Sequence, residues 1–156
     1  GPGSESGLAL REEFHIAKQH QFGLSYYFGK KNAYSRNVVG PFAVVSFGKE
    51  LSWLAELDAQ FRRPTKSDPT LGKENGVFAY NNLDWEMSRG IHGYLVQEMG
   101  QRDLKDAATQ HQAFGLGTEL FPRPHYHINA SWRLEKNELY SEKFGQTWWM
   151  VLHYYL

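Results

Sequence analysis

Taken in steps of two, the chain separates into eight stretches of about ten residues in which large apolar side chains hold one parity and small or polar ones the other. Successive side chains of a strand point to opposite faces, so this alternation predicts strands with two unlike faces. In the first stretch Phe22, Leu24, Tyr26 and Phe28 alternate with Gln21, Gly23, Ser25 and Tyr27. The third sets Trp53, Ala55, Leu57, Ala59 and Phe61 against Ser52, Leu54, Glu56, Asp58, Gln60 and Arg62. The seventh sets Tyr126, Ile128, Ala130, Trp132 and Leu134 against His127, Asn129, Ser131 and Arg133. The eighth sets Trp148, Met150, Leu152, Tyr154 and Leu156 against Thr147, Trp149, Val151, His153 and Tyr155. Four noisier stretches lie at Val38–Phe47, Val77–Met87, Ile91–Met99 and Phe114–Leu120, where Asn81 and Gln97 fall on the apolar parity.

The connections alternate in length. Polar runs at Lys30–Asn37, Arg63–Gly76, Gln101–Ala113 and Glu135–Gln146 alternate with tight joints at Gly48–Glu50, Ser88–Gly90 and Phe121–His125. Long links on one rim and short ones on the other predict an all-β, antiparallel up-and-down barrel of about eight strands. The domain reading is a tag-removal remnant over residues 1–4, an N-terminal segment over 5–20 and a barrel over 21–156. In the N-terminal segment Phe14 and Ile16 share the parity of Phe22. It either extends the first strand, forms a short helix, or is a preceding strand.

Composition narrows the classes. Seventeen basic and seventeen acidic residues cancel, with no basic block of the kind that matches phosphates, so nucleic acid is not an expected partner. The chain has no cysteine, which excludes disulfides and thiolate chemistry. No apolar run approaches the ~18 residues of a membrane helix. The unusual feature is the combination of five Trp, nine Tyr, ten Phe and fifteen Gly with a mean hydropathy of −0.59.

Which parity faces inward decides the class. A soluble lipocalin-like barrel puts the apolar parity inside, around a small ligand, and an outer-membrane barrel inverts it. Two features favour inversion. The polar parity carries Glu56, Asp58, Arg62, Asp84, Glu86, Glu98, Glu119 and Arg133 among glycines, a set suited to a crowded interior. The apolar parity carries Trp53, Trp85, Trp132, Trp148 and Tyr154 near the stretch ends, as in membrane-interface girdles. The expectation is therefore a transmembrane barrel.

The terminal stretch, Thr147 to Leu156, has large apolar residues at Leu152, Tyr154 and Leu156. It resembles the insertion signal that closes bacterial outer-membrane β-barrel proteins, with Leu156 where Phe is commoner. The joint Gly48-Lys49-Glu50 ahead of Trp53–Asp58, and Gly117–Pro124 ahead of an alternating stretch, resemble hairpins of porin-like members of that class. The resemblance implies an outer-membrane location, with membrane lipid and the barrel-insertion machinery as partners. It leaves open a complete small barrel or the C-terminal part of a larger one.

Candidate chemistry is sparse. His125 and His127 share a strand face, but no third ligand stands at metal-binding spacing, so no metal or cofactor is expected. An outer-membrane lipid A deacylase would place Ser two residues after a catalytic His. Asn129 follows His127 there, and Ser131 lies roughly 13 Å along the strand from it, beyond hydrogen-bond reach. No catalytic residues are expected, and the function reads as a scaffold or narrow channel. The inward set holds six carboxylates against two arginines, which makes either a hydrogen-bonded plug or, in a wider barrel, a cation-conducting passage.

Overall fold

The computed structural model describes residues 5–17, 19–65, 72–123, 125–137 and 141–154. Nine strands follow one another: β1 Ser6–Ile16, β2 His20–Lys30, β3 Tyr34–Phe47, β4 Leu51–Pro64, β5 Glu74–Ser88, β6 Ile91–Gln101, β7 Gln110–Arg123, β8 Tyr126–Asn137 and β9 Ser141–Tyr154. They form one antiparallel up-and-down sheet in sequence order, β1 to β9. A 3-10 turn at Ala107–Thr109, capped by the Asp106 side chain, is the helical element among the described residues.

The fold class agrees with the alternation, with two corrections. The N-terminal segment is a strand in its own right, so the count is nine rather than about eight. Leu8, Leu10 and Phe14 stand opposite Phe28, Tyr26 and Phe22 and continue the same apolar face. The strands also run further than their apolar stretches. Lys30–Asn37 and Glu135–Gln146 contain mostly paired strand, and β2 and β3 are joined by residues 31–33 alone. Where a strand is polar on both faces its hydropathy looks like a loop, yet its backbone donors and acceptors still need partners. The tight joints are as expected. Gly48 and Gly90 turn with φ near +76° and +77°, and His125 takes the same left-handed region at +73°.

The register fixes the faces. Direct partners such as Leu57↔Ala79↔Met99 and Leu83↔Leu95↔Leu116 run unbroken on one side, and Glu56↔Tyr80↔Glu98↔Ala113 on the other. Burial does not follow hydrophobicity. Among the described residues only Phe42 and Ala113 are buried apolar side chains, while Leu57, Trp85, Leu95, Trp148 and Leu152 are all exposed, Trp148 at 73%. The more covered positions are polar or small, including Gly40, Gln60 and Ser131.

Side chains two strands apart meet on the polar face: Ser25 with Glu56, Tyr94 with Asn129, Arg133 with Glu98, and Arg11 over the Phe42 ring. Such contacts need a sheet bent toward that face, which is called the inner face below. Three glycines accept rings from directly opposed residues there. A β-carbon at Gly23, Gly100 or Gly117 would run into Phe42, Phe78 or Tyr94 respectively.

Candidate functional site

The outer face is apolar over a band that starts at the rim of tight turns. On β4 it runs from Leu51 to Phe61, on β6 from Ile91 to Met99, and on β8 from Tyr126 to Leu134. Beyond that level the outward residues become polar: Asn37, Asn75, Gln101, Gln112, Lys136 and Gln146. About ten residues at ~3.3 Å each, tilted by ~40°, give a band roughly 25 Å tall. Among the described residues no helix is long and apolar enough to cross a membrane.

The five expected girdle aromatics all lie on this outer face, but at two levels. Trp53, Trp85 and Tyr154 sit near the tight-turn rim, and Tyr154 packs on Tyr126 with ring centroids 5.0 Å apart. Trp132 and Trp148 are mid-strand, paired at 6.0 Å. They are not at strand ends because β8 and β9 continue to Asn137 and start at Ser141. Of the insertion-signal residues, Leu152 and Tyr154 are outward and exposed, and Leu156 lies outside the described residues.

All eight expected charged residues point to the inner face, but not as one network. Arg133 holds Glu98 through two hydrogen bonds of 2.8 Å and donates from Nε to Glu135 at 2.9 Å. His111 lies 3.5 Å from Glu98 and 3.7 Å from Glu135. This cluster spans from β6 to β8 across β7, which contributes His111 and presents the small residues Ala113 and Gly115 beneath Arg133. Arg62 pairs with Glu74 at 3.0 Å, and Arg102 stands 3.6 Å from the same carboxylate. Asp84 meets His92 at 2.9 Å. Glu119 accepts from Asn129 at 3.1 Å and lies 3.7 Å from His127.

Glu56, Asp58 and Glu86 do not share a site with Arg62 or Arg133. Glu56 faces the Ser25 hydroxyl at 3.4 Å, and Asp58 lies against the backbone at Gly40. These two carboxylates form one side of a recess of about 400 Å³ whose other walls include Arg11, Tyr27 and Arg36. Arg36 is bound to Glu5, which also accepts from the Tyr27 hydroxyl, and Arg11 pairs with Glu13. The acid partners Glu5, Glu74 and Glu135, and His111, were not expected.

His125 and His127 do not act as a pair. His125 makes the turn, while His127 stacks on Phe121 at 4.7 Å with His153 at 5.4 Å. The Ser131 hydroxyl is buried and makes no hydrogen bond with a described residue. Among the described residues no group of three or more His, Asp or Glu is disposed to hold a metal ion. The chain matches no protein-family model, no curated protein and no solved structure with which it was compared. What the inner face does must therefore be read from its own chemistry.

Proposed function

We propose that the sheet is the wall of a β-barrel spanning a bacterial outer membrane, and that its inner face lines a water-filled channel favouring small cations. The observation that carries this reading is the inverted burial: an exposed apolar band about 25 Å tall backs a charged, hydrogen-bonded inner face. A soluble ligand-binding barrel needs the opposite arrangement. Membrane lipid covers the band, and the barrel-insertion machinery reads β9 through its outward Leu152 and Tyr154.

The inner-face contacts favour a passage over a plug. The ion pairs lie within one strand or join adjacent or next-but-one strands along the wall, and the groups of the Arg133 cluster keep roughly a quarter or more of their side-chain surface open. A closed eight-strand interior would instead be filled by side chains meeting across it. Among the described residues Glu56, Asp58 and Glu86 add negative charge without an ion pair, since Arg11 and Arg36 across the recess are bound to Glu13 and Glu5, and this favours cations through the local field.

Closure sets a further requirement. β1 and β9 are the two ends of the sheet order and run in the same direction. Lipid cannot satisfy open strand edges. An all-antiparallel ring takes an odd number of further strands between β9 and β1, from elsewhere in the polypeptide or from another copy.

The test is refolding with lipid, flotation with liposomes, and reversal potentials across a planar bilayer under a potassium chloride gradient. The expected outcome is co-flotation and a cation-selective conductance that falls toward neutrality in the Glu56→Gln/Asp58→Asn variant. A chain that is monodisperse without detergent and stays out of liposomes refutes the membrane assignment. Insertion with no conductance leaves the barrel as a scaffold and refutes the channel.

A further inference from the structure

The apolar outer band is interrupted at its centre by two amides. Asn81 and Gln97 are direct cross-strand partners on β5 and β6, and the register places both on the outward side with Leu83, Leu95 and Met99. Asn81 lies midway along β5, roughly 17 Å above the tight turns once strand tilt is allowed for. Lipid headgroups do not reach that level. The Asn81 carbonyl accepts a hydrogen bond from Trp53 Nε1 at 3.3 Å, and the exposed Gln97 amide bonds to no described side chain.

The surroundings of the pair are equally uncommon for this face. Ala43, Ala55, Asn81 and Gln97 are successive cross-strand partners on β3 to β6, and Ala79 precedes Asn81 by two residues on the same side. Trp53, Leu57, Leu83, Leu95, Met99 and Phe114 stand around them. The result is a shallow floor of small side chains, bordered by large ones, with two amides at its edge. In a bilayer, segments associate where small residues allow close approach and polar groups supply hydrogen bonds, because lipid tails supply none.

We propose that this patch is the contact between two copies of the chain, related by a two-fold axis that sets Asn81 of each against Gln97 of the other. The proposal rests on the membrane reading above. A primary amide both donates and accepts, so an Asn–Gln pair is complementary to itself reversed, which is the requirement of an isologous interface. An acidic or basic partner would meet no charge on the patch, and a lipid tail would leave the Gln97 amide and the Asn81 amide N–H groups without a partner. A second copy satisfies the amides and covers the alanine floor in one contact.

The test uses the whole chain refolded into liposomes. Since it contains no cysteine, a single Ala79→Cys reports proximity between copies through a short thiol cross-linker. Two variants accompany it: Asn81→Leu/Gln97→Leu, which removes the amides, and Ala55→Trp, which fills the floor. Both lie on the lipid side, so the barrel is expected to insert in each case. The expected result is a cross-linked dimer in the otherwise wild-type chain and self-association weakened by roughly tenfold or more in either variant. A chain that inserts but stays monomeric, or whose dimer is indifferent to both variants, overturns the interface and leaves the membrane reading standing. A chain that stays out of liposomes overturns both.

Discussion

At the scale of single residues, the parity of the charged positions was legible and their partners were not. Alternation put Glu56, Asp58, Arg62, Asp84, Glu86, Glu98, Glu119 and Arg133 on one face, and the register agrees. The partners Glu74, His111 and Glu135 lie in runs that look like loops, because both faces of the strand are polar there. Hydropathy carries no face information once the apolar side has ended. The ring-on-glycine pairs were also hidden, since alternation shows small residues on the inner parity but not which ring covers each. They give a direct test. At Gly100 the three atoms nearest to an added β-carbon all belong to the Phe78 ring. Gly100→Leu should therefore lower the unfolding free energy by about 1–3 kcal/mol of overpacking. Adding Phe78→Ala should restore much of that loss, whereas additive effects in the double-mutant cycle would show that the ring is not the obstacle.

At the scale of elements, eight strands were visible because each crosses the apolar band, and their ends were not. The N-terminal strand was ambiguous for a physical reason. Glu12 interrupts its outward parity between Leu10 and Phe14, and Arg11 beside it breaks the contrast between faces. β1 is nevertheless held by a full run of partners from Ser6↔Lys30 to Ile16↔His20. Its other edge makes the next prediction. Because β1 and β9 run in the same direction, a direct seam between them would be a parallel pair. Cysteines at Leu10 and Trp148, both outward and a similar distance from the tight-turn rim, should then remain unlinked within one chain under oxidation. The neighbouring pair Leu10→Cys/Tyr26→Cys, which are direct partners, should be captured by a short cross-linker. Efficient intrachain linkage of positions 10 and 148 would show that the ring closes on itself with nine strands.

At the scale of the whole molecule, the open question is whether charges on the inner face hold the fold or tune a passage, and Arg133 separates the two. Its guanidinium binds Glu98 in a forked geometry, adds Glu135, and bridges β6 to β8 above the small residues of β7. In a dry, filled interior, removing the arginine would leave two carboxylates uncompensated, at a cost of about 3–5 kcal/mol. Here about a quarter of both the Arg133 and the Glu98 side-chain surface is open and Glu135 is more open still, so water takes over much of the lost solvation. Partly exposed pairs contribute far less than buried ones. Arg133→Met should accordingly lower the unfolding free energy by no more than about 2 kcal/mol. If the inner face lines the proposed channel, the same change frees the negative charge of Glu98 and Glu135 toward it. Cation preference should therefore rise, most clearly at low salt, where the screening length is longest. Both quantities are measured on one variant: the denaturant midpoint in detergent and the reversal potential across a planar bilayer. A large loss of stability with conductance near zero would return the inner face to a structural plug. A small loss of stability with a shifted reversal potential is the outcome that the spacing of these groups along the wall predicts.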